Sequence, residues 1–331
     1  MPLSLILTFR NEEENLRKNL ESVLSGDHTE FEVVAVDNCS QDESSSVLTG
    51  LKAKYPNLKV SSLKQEVVFS GKMAQNIALK AARHDWVSII APTVNLTGTN
   101  QVQEISSRLG NGSQTVVNYC NVKPEKSFYN LLYRTEMFHQ QLKSFGFIKN
   151  GLSYVANQEN TAFKKHLYFD VDGYRGKISE PFANLELVIN SFIRKEPVSL
   201  VISAETACMR EEKITSKDYV ELIKKEAIVR KHLPFGTRLL LDIYRWAYLL
   251  MIPVVALLVI RMPEIWPYVT GLLTILVFCN LLIIKKLLAR LQEFKLFLPS
   301  FLIALILPYI KLIFRIFYSR YGVLKEWKIG N

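Results

Sequence analysis

Four cysteines in 331 residues, Cys39, Cys120, Cys208 and Cys279, make no C-x-x-C pair, so neither a zinc site nor a disulfide framework is suggested. Reduced, mostly packed thiols are the expectation. No leader is expected either: Met1-Pro2 runs directly into the apolar stretch Leu3 to Leu7, without the charged start and long apolar core of a signal peptide. The N-terminal domain is therefore expected in the cytoplasm. The formal charge of +10 is not gathered into one basic helix or arginine-rich arm, and with no stacking or groove-reading motif no nucleic-acid partner is expected. Lys285, Lys286, Arg290, Lys295, Lys311, Arg315, Arg320, Lys325 and Lys328 instead crowd the flanks of apolar segments, a placement that suits anionic lipid headgroups. One absence is local. Between Asp85 and Glu104 there is no carboxylate at all.

What is present divides unevenly. Up to about Leu233 charged and apolar residues alternate, whereas Leu239 to Phe317 is dominated by Leu, Ile, Val and Phe. A domain over residues 1–233 followed by a membrane segment over 234–331 is the economical reading. Residues 238–260 and 265–284 are each long enough, at about 1.5 Å per residue, to cross a hydrocarbon core of about 30 Å. Arg261-Met-Pro-Glu264 is a tight link, so the pair reads as a helical hairpin with Lys285, Lys286 and Arg290 emerging on the cytoplasmic side. The third run, about 296–318, is interrupted by Pro299, Pro308, Lys311 and Arg315. An interfacial or re-entrant helix is favoured over a third span, which would carry five basic residues to the outer surface. The expected location is a cell membrane, multi-pass, with membrane lipids as neighbours.

Within the first part, strand and helix alternate with short links. Leu3 to Phe9, Phe31 to Asp37, Leu58 to Ser62, Trp86 to Ile90, Gln114 to Asn118 and Val198 to Ser203 read as strands, and helices are expected from Asn11 to Leu24, Ser44 to Lys54, over Gly71 to Ala81, from Asn100 to Leu109, Ser127 to Phe145 and Ser216 to Lys231. That order argues an α/β fold, a mostly parallel sheet with helices on both faces. In such sheets ligands sit in the loops beyond the carboxyl ends of the strands. Asp37, closing an apolar strand, is placed to accept hydrogen bonds from a nucleobase or ribose, although a loop Asp capping the next helix is the plainer alternative.

Three ordered stretches carry a resemblance: Leu3-Ser-Leu-Ile-Leu-Thr-Phe-Arg-Asn-Glu-Glu-Glu-Asn-Leu16, then Phe31-Glu-Val-Val-Ala-Val-Asp-Asn-Cys-Ser-Gln-Asp42, then Gly71-Lys-Met-Ala-Gln-Asn76. Together they resemble the nucleotide-sugar half of inverting family 2 glycosyltransferases of GT-A fold. The resemblance implies that Thr8, Arg10, Glu12 and Asp37 border the nucleoside pocket, that Lys72 approaches the base or diphosphate, and that Asn76 belongs to the same helix motif. It further implies an Asp-x-Asp pair at the end of the fourth strand, holding Mg²⁺ or Mn²⁺ on the sugar diphosphate. Ala91 and Thr93 stand there instead, and Thr93 and Asn95 offer only neutral oxygens.

The segment Glu159 to Tyr174 resembles the family's acceptor side, with Lys164, Lys165 and Asp172-Gly173-Tyr174 in place of its Arg-rich and Gly-Gly-Phe-like turns. The Glu-Asp pair expected to open the next helix, one of whose carboxylates takes the acceptor's proton, has become Ala183-Asn184. Glu180 and Glu186 are the nearest carboxylates. The Gln-x-x-Arg-Trp of processive members is missing near Arg230, which disfavours a polysaccharide synthase. Two readings stay open. One is a membrane-attached transferase moving a sugar from a nucleoside-diphosphate sugar to a lipid or envelope-glycan acceptor without the usual metal site; the other is a catalytically silent homologue that binds nucleotide or lipid and supports a partner glycosyltransferase.

Overall fold

In the computed structural model, residues 1–25, 30–66, 68–94, 101–110, 112–262, 264 and 266–320 are described; Asn95, Lys325 and Lys328 lie outside them. The strands are β1 (Leu3–Phe9), β2 (Phe31–Asp37), β3 (Leu58–Ser62), β4 (Trp86–Ile90), β5 (Thr115–Asn118), β6 (Cys120–Val122), β7 (Thr161–Lys164), β8 (Val198–Val201) and β9 (Cys208–Arg210). Seven form one sheet in the order β3-β2-β1-β4-β7-β5-β8, and β6 and β9 form a second, two-stranded one. Within the large sheet β7 runs antiparallel to its neighbours β4 and β5, while the other pairs are parallel. β1, β2 and β4 are buried almost along their whole length, as strands covered on both faces must be.

The covering helices are α1 (Glu13–Asn15), α2 (Glu21–Leu24), α3 (Ser44–Lys54), α4 (Ser70–Ala81), α5 (Gln101–Ser107), α6 (Phe128–Lys149), α7 (His166–Asp170), α8 (Glu186–Phe192) and α9 (Ser216–Lys231). A π-helical turn, Leu16–Leu20, joins α1 to α2. The small residues of α4, Ala74 and Ala78, are fully buried, letting this helix approach the sheet beneath the carboxyl ends of β1 and β2. α9 opens on a capping box in which Thr215 and Asp218 satisfy each other's backbone, a signature readable in sequence.

Three longer helices follow: α10 (Phe235–Arg261), α11 (Trp266–Arg290) and α12 (Phe297–Arg320). Each of the segments Phe235–Arg261, Trp266–Arg290 and Phe294–Phe314 is long and apolar enough to cross a membrane. The hydrophobic core does not stop at residue 233. Ile284 and Leu288 at the end of α11, with Leu291 and Leu296 after it, are buried in the same cluster as Ile6, Val87 and Phe163 of the sheet. The connection is fastened by Glu293, whose carboxylate takes hydrogen bonds from Tyr119 and, at 2.8 Å, from Arg134, with all three residues buried.

The four cysteines are free thiols. Far apart in sequence, Cys120 and Cys208 are neighbours in register across the small sheet. Pairing of β6 with β9 was not readable from strands of three residues each.

Candidate active site

The carboxyl ends of β1, β2 and β4 lie side by side, with Phe9 in register with Asp37 and Leu7 with Ile90. The loops beyond β1 and β2 are laced together by side chains. Asp37 Oδ1 accepts the Ser40 amide at 2.9 Å, Asn11 Oδ1 accepts the Gln41 amide at 2.8 Å, and Ser40 Oγ accepts the Asn11 amide at 2.9 Å. Asn11 and Cys39 are held at positive φ, 53° and 59°, the kind of local strain that recurs at functional loops. Glu12 belongs to the same lacing: its amide donates to Ser44 Oγ at 3.0 Å and its carboxylate takes Asn15 Nδ2 at 2.6 Å. Burial raises the Glu12 pKa. Thr8 is the penultimate residue of β1 and half-buried. Arg10 points outward and forms a two-pronged pair with Glu66, both half exposed.

Lys72, on the first turn of α4, is 4% exposed. Its ammonium donates to the carbonyl oxygens of Lys177 at 3.0 Å, Ile178 at 3.2 Å and Glu180. Burial pulls its pKa down to about 8, against the opposing pull of Glu186 and Glu180. Lys72 thus ties the segment 177–180 to the start of α4. Asn76, one turn on, accepts the Tyr168 hydroxyl at 3.3 Å. Tyr168 explains Gly173, whose φ is +53° and where a Cβ would stand 2.5 Å from the tyrosine ring. Asp172, beside that glycine, is exposed and pairs with Arg175 at 3.3 Å.

The other acceptor-side residues are scattered. Lys164 is in register with Trp86 at the start of β4, and Lys165 donates to the Ala82 carbonyl at 2.6 Å, so both sit at the amino end of β4, away from Ala91 and Thr93. Glu186 is 0% exposed, with its carboxylate 2.5 Å from Lys225 and accepting the Asn184 amide at 3.0 Å. That carboxylate is enclosed and paired, with no surface open to solvent. Glu180 is more accessible; it takes Lys231 at 2.9 Å and the His232 ring at 2.8 Å. Burial would raise its pKa, but those two partners outweigh it and hold it low.

A group not legible in the sequence closes the floor. Arg210 ends β9, whose backbone bridges to Val94, and the Glu211 amide donates to the Thr93 carbonyl at 2.8 Å. Its guanidinium lies 3.2 Å from both Glu159 and Glu212 and donates to the Tyr133 hydroxyl at 2.8 Å. Burial pushes Glu212 up, and although burial would do the same to Glu159, Arg210 and Lys225 hold that carboxylate below its usual range. Glu212 Oε2 stands 3.5 Å from Thr93 Oγ1, so a carboxylate remote in sequence returns to the loop that lacks one.

Known proteins resemble the first part of the chain. The likeness is to glycosyl transferase family 2. The sequence model of that family matches residues 4–91, which run from β1 to Ala91 and include every residue expected on the nucleotide side except Thr93. A curated relative, the poly(ribitol-phosphate) β-N-acetylglucosaminyltransferase TarS of Staphylococcus aureus, is 37% identical over 92 residues, 27% of this chain and 16% of the relative; the chain thus spans a small part of that relative's length. The mannosyltransferase PcManGT of Pyrobaculum calidifontis, solved with GDP-Man and Mn²⁺, superposes with a TM-score of 0.53 at 15% identity over 90% of this chain and 85% of that one. Residues 1–349 of S. aureus TarS align at 19% identity over 72% of this chain and 67% of that one, TM-score 0.49. The fold is GT-A, and the family match supports a sugar-transferring enzyme.

Family 2 enzymes that hold a divalent cation need carboxylates in the β4 loop, and the donors here do not fit. Thr93 Oγ1 is neutral, and the one carboxylate brought to it, Glu212, already lies 3.2 Å from the Arg210 guanidinium. Among the described residues no three His, Cys, Asp or Glu side chains converge as a metal site. A hard cation such as Mg²⁺ or Mn²⁺ would compete with a fixed arginine for Glu212.

Proposed function

We propose that the chain is a membrane-attached family 2 transferase that takes a sugar from a nucleoside-diphosphate sugar and passes it to a lipid or envelope-glycan acceptor, without an Asp-x-Asp metal site. The observation carrying this reading is the placement of Thr8, Arg10, Asp37 and Thr93 at the carboxyl ends of three adjacent parallel strands, inside or at the edge of the family-matched residues. Asp37 receives the nucleoside. The leaving diphosphate needs positive charge, and the available cations are not equivalent. Lys72 is committed to three carbonyls and Arg210 to two carboxylates, both deeply buried. Arg10 is tied only to Glu66, a surface pair of the kind worth about 0–1 kcal/mol. Arg10 is therefore the cation that can turn to the diphosphate at small cost, while Lys72 acts by fixing the 177–180 wall.

The packing supports this attachment. α10 and α11 project a mostly exposed apolar surface and form the membrane hairpin. α12 does not traverse with them. Phe297, Ile303, Ile310 and Phe314 of α12 pack on buried clusters of the α/β domain, the His139 ring meets the Ser300 carbonyl at 2.8 Å, and Lys311 pairs with Glu136 at 2.5 Å and Glu226 at 2.8 Å. Those contacts span roughly 26 Å of helix, so this helix lies along the domain at the membrane surface, leaving the N-terminal domain and α12 on one side, the cytoplasm.

Glu186 locked on Lys225, with Ala183 and Asn184 where a base is expected, favours a second reading, a silent homologue that binds nucleotide and supports a partner transferase. A panel of nucleotide sugars offered to native membranes, with and without EDTA, separates the two. Sugar transfer that survives EDTA is the expected result. UDP or GDP binding with no transfer from any donor would establish the silent homologue.

A further inference from the structure

Away from the nucleotide end, a cavity of about 110 Å³ opens where α6 and α9 of the domain meet α10 and α12. It lies on the far side of α9 from the candidate active site: Lys225 faces Glu186, whereas the next residue, Glu226, lines the cavity. Its floor holds unusual groups. Tyr154 is 1% exposed and its hydroxyl has no partner, and Glu136 is 0% exposed with Oε2 unpartnered. Arg230, on the rim, has its Nε buried and unpartnered although its other nitrogen pairs with Asp242. Four cations, Lys143, Lys311, Arg230 and Arg245, face three carboxylates, Glu136, Glu226 and Asp242, so the lining carries surplus positive charge. The remaining wall is apolar, with Leu241 and Leu307, and Tyr244 and Tyr248 stack 4.7 Å apart beside it on the first membrane helix.

Unpaired buried polar atoms each cost about 1–3 kcal/mol, so their grouping in one cavity suits a ligand able to satisfy them. The donors, Tyr154 Oη and Arg230 Nε, call for anionic oxygens. The acceptor, Glu136 Oε2, calls for a hydrogen-bond donor on the same ligand. The height, at the base of the hairpin among aromatic and basic side chains, is that of lipid headgroups. We propose that this cavity binds one membrane phospholipid whose headgroup combines a phosphate with a hydroxyl or ammonium donor, the phosphate lying toward Tyr154 and Arg230 and the donor toward Glu136, with acyl chains leaving past Leu241 and Leu307. The site is separate from the sugar-transfer centre and independent of the reaction proposed for it. It does rest on the hairpin being the membrane anchor.

The test uses the full chain in detergent micelles, where no bilayer insertion is needed, so its failure differs from a failure of the topology, which vesicle flotation reads. Native mass spectrometry and thermal unfolding are measured with added phosphatidylethanolamine, phosphatidylglycerol, phosphatidylcholine or inorganic phosphate. The expected result is one retained phosphatidylethanolamine or phosphatidylglycerol with a raised Tm, and an affinity about tenfold lower in Tyr154→Phe, the loss of one hydrogen bond to a charged group. Should Tyr154→Phe fail to fold, Arg230→Gln on the rim is to show the same loss. Equal retention of phosphatidylcholine, whose headgroup has no donor, overturns the proposal in favour of a nonspecific lipid shell. Equal stabilisation by inorganic phosphate overturns it in favour of a small-anion site, and unchanged binding in both variants places the lipid elsewhere.

Discussion

The proposed nucleotide side and the proposed acceptor side of this fold are built in different ways. On the nucleotide side, β1, β2 and β4 end together, and the side chains beyond them satisfy backbone groups within the same two loops, as Asp37 does for Ser40 and Asn11 for Gln41. These are short-range devices on a parallel scaffold. On the acceptor side the fixed points are ion pairs between distant elements: Glu186 of α8 with Lys225 of α9, and Glu159 before β7 with Arg210 of β9. Loop residues on the first side can change with little effect on the scaffold; on the second, each charge is buried against another, so losing one exposes its partner to the full desolvation penalty.

The largest predicted effect follows from that contrast. Replacing Lys225 by Met leaves Glu186, fully buried, without its cation and weakens the hold on Glu159. Breaking one partner of a buried pair costs about 3–5 kcal/mol, so thermal unfolding in detergent is expected to drop by many degrees. Adding Glu186→Leu to Lys225→Met should restore most of the loss, because the unpaired charge is gone. A second variant no more stable than the first would mean that Lys225 is held chiefly by Glu159 and Asn157, and that the acceptor side is one network with no separable pair.

The same contrast explains what was legible in the sequence. The strands β1, β2 and β4 and the helix Ser216–Lys231 were readable because each carries its own signal: an apolar β-branched run, or apolar residues at helical spacing. Thr8, Glu12 and Lys72 rested on the family resemblance, and Asp37 on its place at the end of an apolar strand as well. Arg210 and Glu212 were not readable, since β9 has three residues and its meaning lies in bridging to Val94, more than a hundred residues earlier. Lys164 and Lys165 went to the acceptor side through a local motif, whereas the antiparallel entry of β7 sets them beside Trp86, at the other end of β4. Charge spacing cannot reveal strand direction. Burial of Ile284, Leu288, Leu291 and Leu296 in the sheet's core was equally hidden, because an apolar helix entering a protein and one entering a bilayer share a composition.

On the nucleotide side the expected effects move from stability to binding. Asp37→Ala should weaken UDP or GDP by about 1–3 kcal/mol, roughly fivefold to 150-fold, as the loss of a charged hydrogen-bond acceptor does. Calorimetric titration of the purified protein checks this, with unfolding measured alongside. Equal affinity in wild type and variant would take Asp37 out of the pocket and leave it as the loop's structural acceptor for Ser40.

Lys72 joins the two sides, and pH distinguishes its effects on them. Its folded pKa of about 8 lies below the ordinary lysine value of about 10.5, so between the two the unfolded chain binds more protons and stability rises with pH. The charged ammonium that holds the 177–180 carbonyls is meanwhile lost as pH passes 8. Transfer activity should therefore fall over the range in which stability climbs, and Lys72→Met should flatten both trends. Parallel changes in activity and stability would show that the wall does not depend on the ammonium charge.

The smallest expected effect concerns the missing carboxylates. Installing Ala91→Asp with Thr93→Asp gives the β4 loop the pair usual in the family, and if absent ligands were the only obstacle to a metal, Mn²⁺ should then raise turnover. The surroundings argue otherwise. Arg210 lies 3.2 Å from Glu212, which is itself 3.5 Å from the Thr93 hydroxyl, so a new carboxylate at 93 would sit beside a guanidinium as well as beside Glu212. It would join the existing ion-pair group before it met a cation. Turnover of the double variant is expected to stay at or below wild type with or without Mn²⁺, and wild-type turnover to be unchanged by EDTA. A Mn²⁺-dependent gain would show that Arg210 moves aside readily and that the nucleotide side is a metal site lacking only its ligands, while loss of wild-type activity in EDTA would place a cation on other groups altogether.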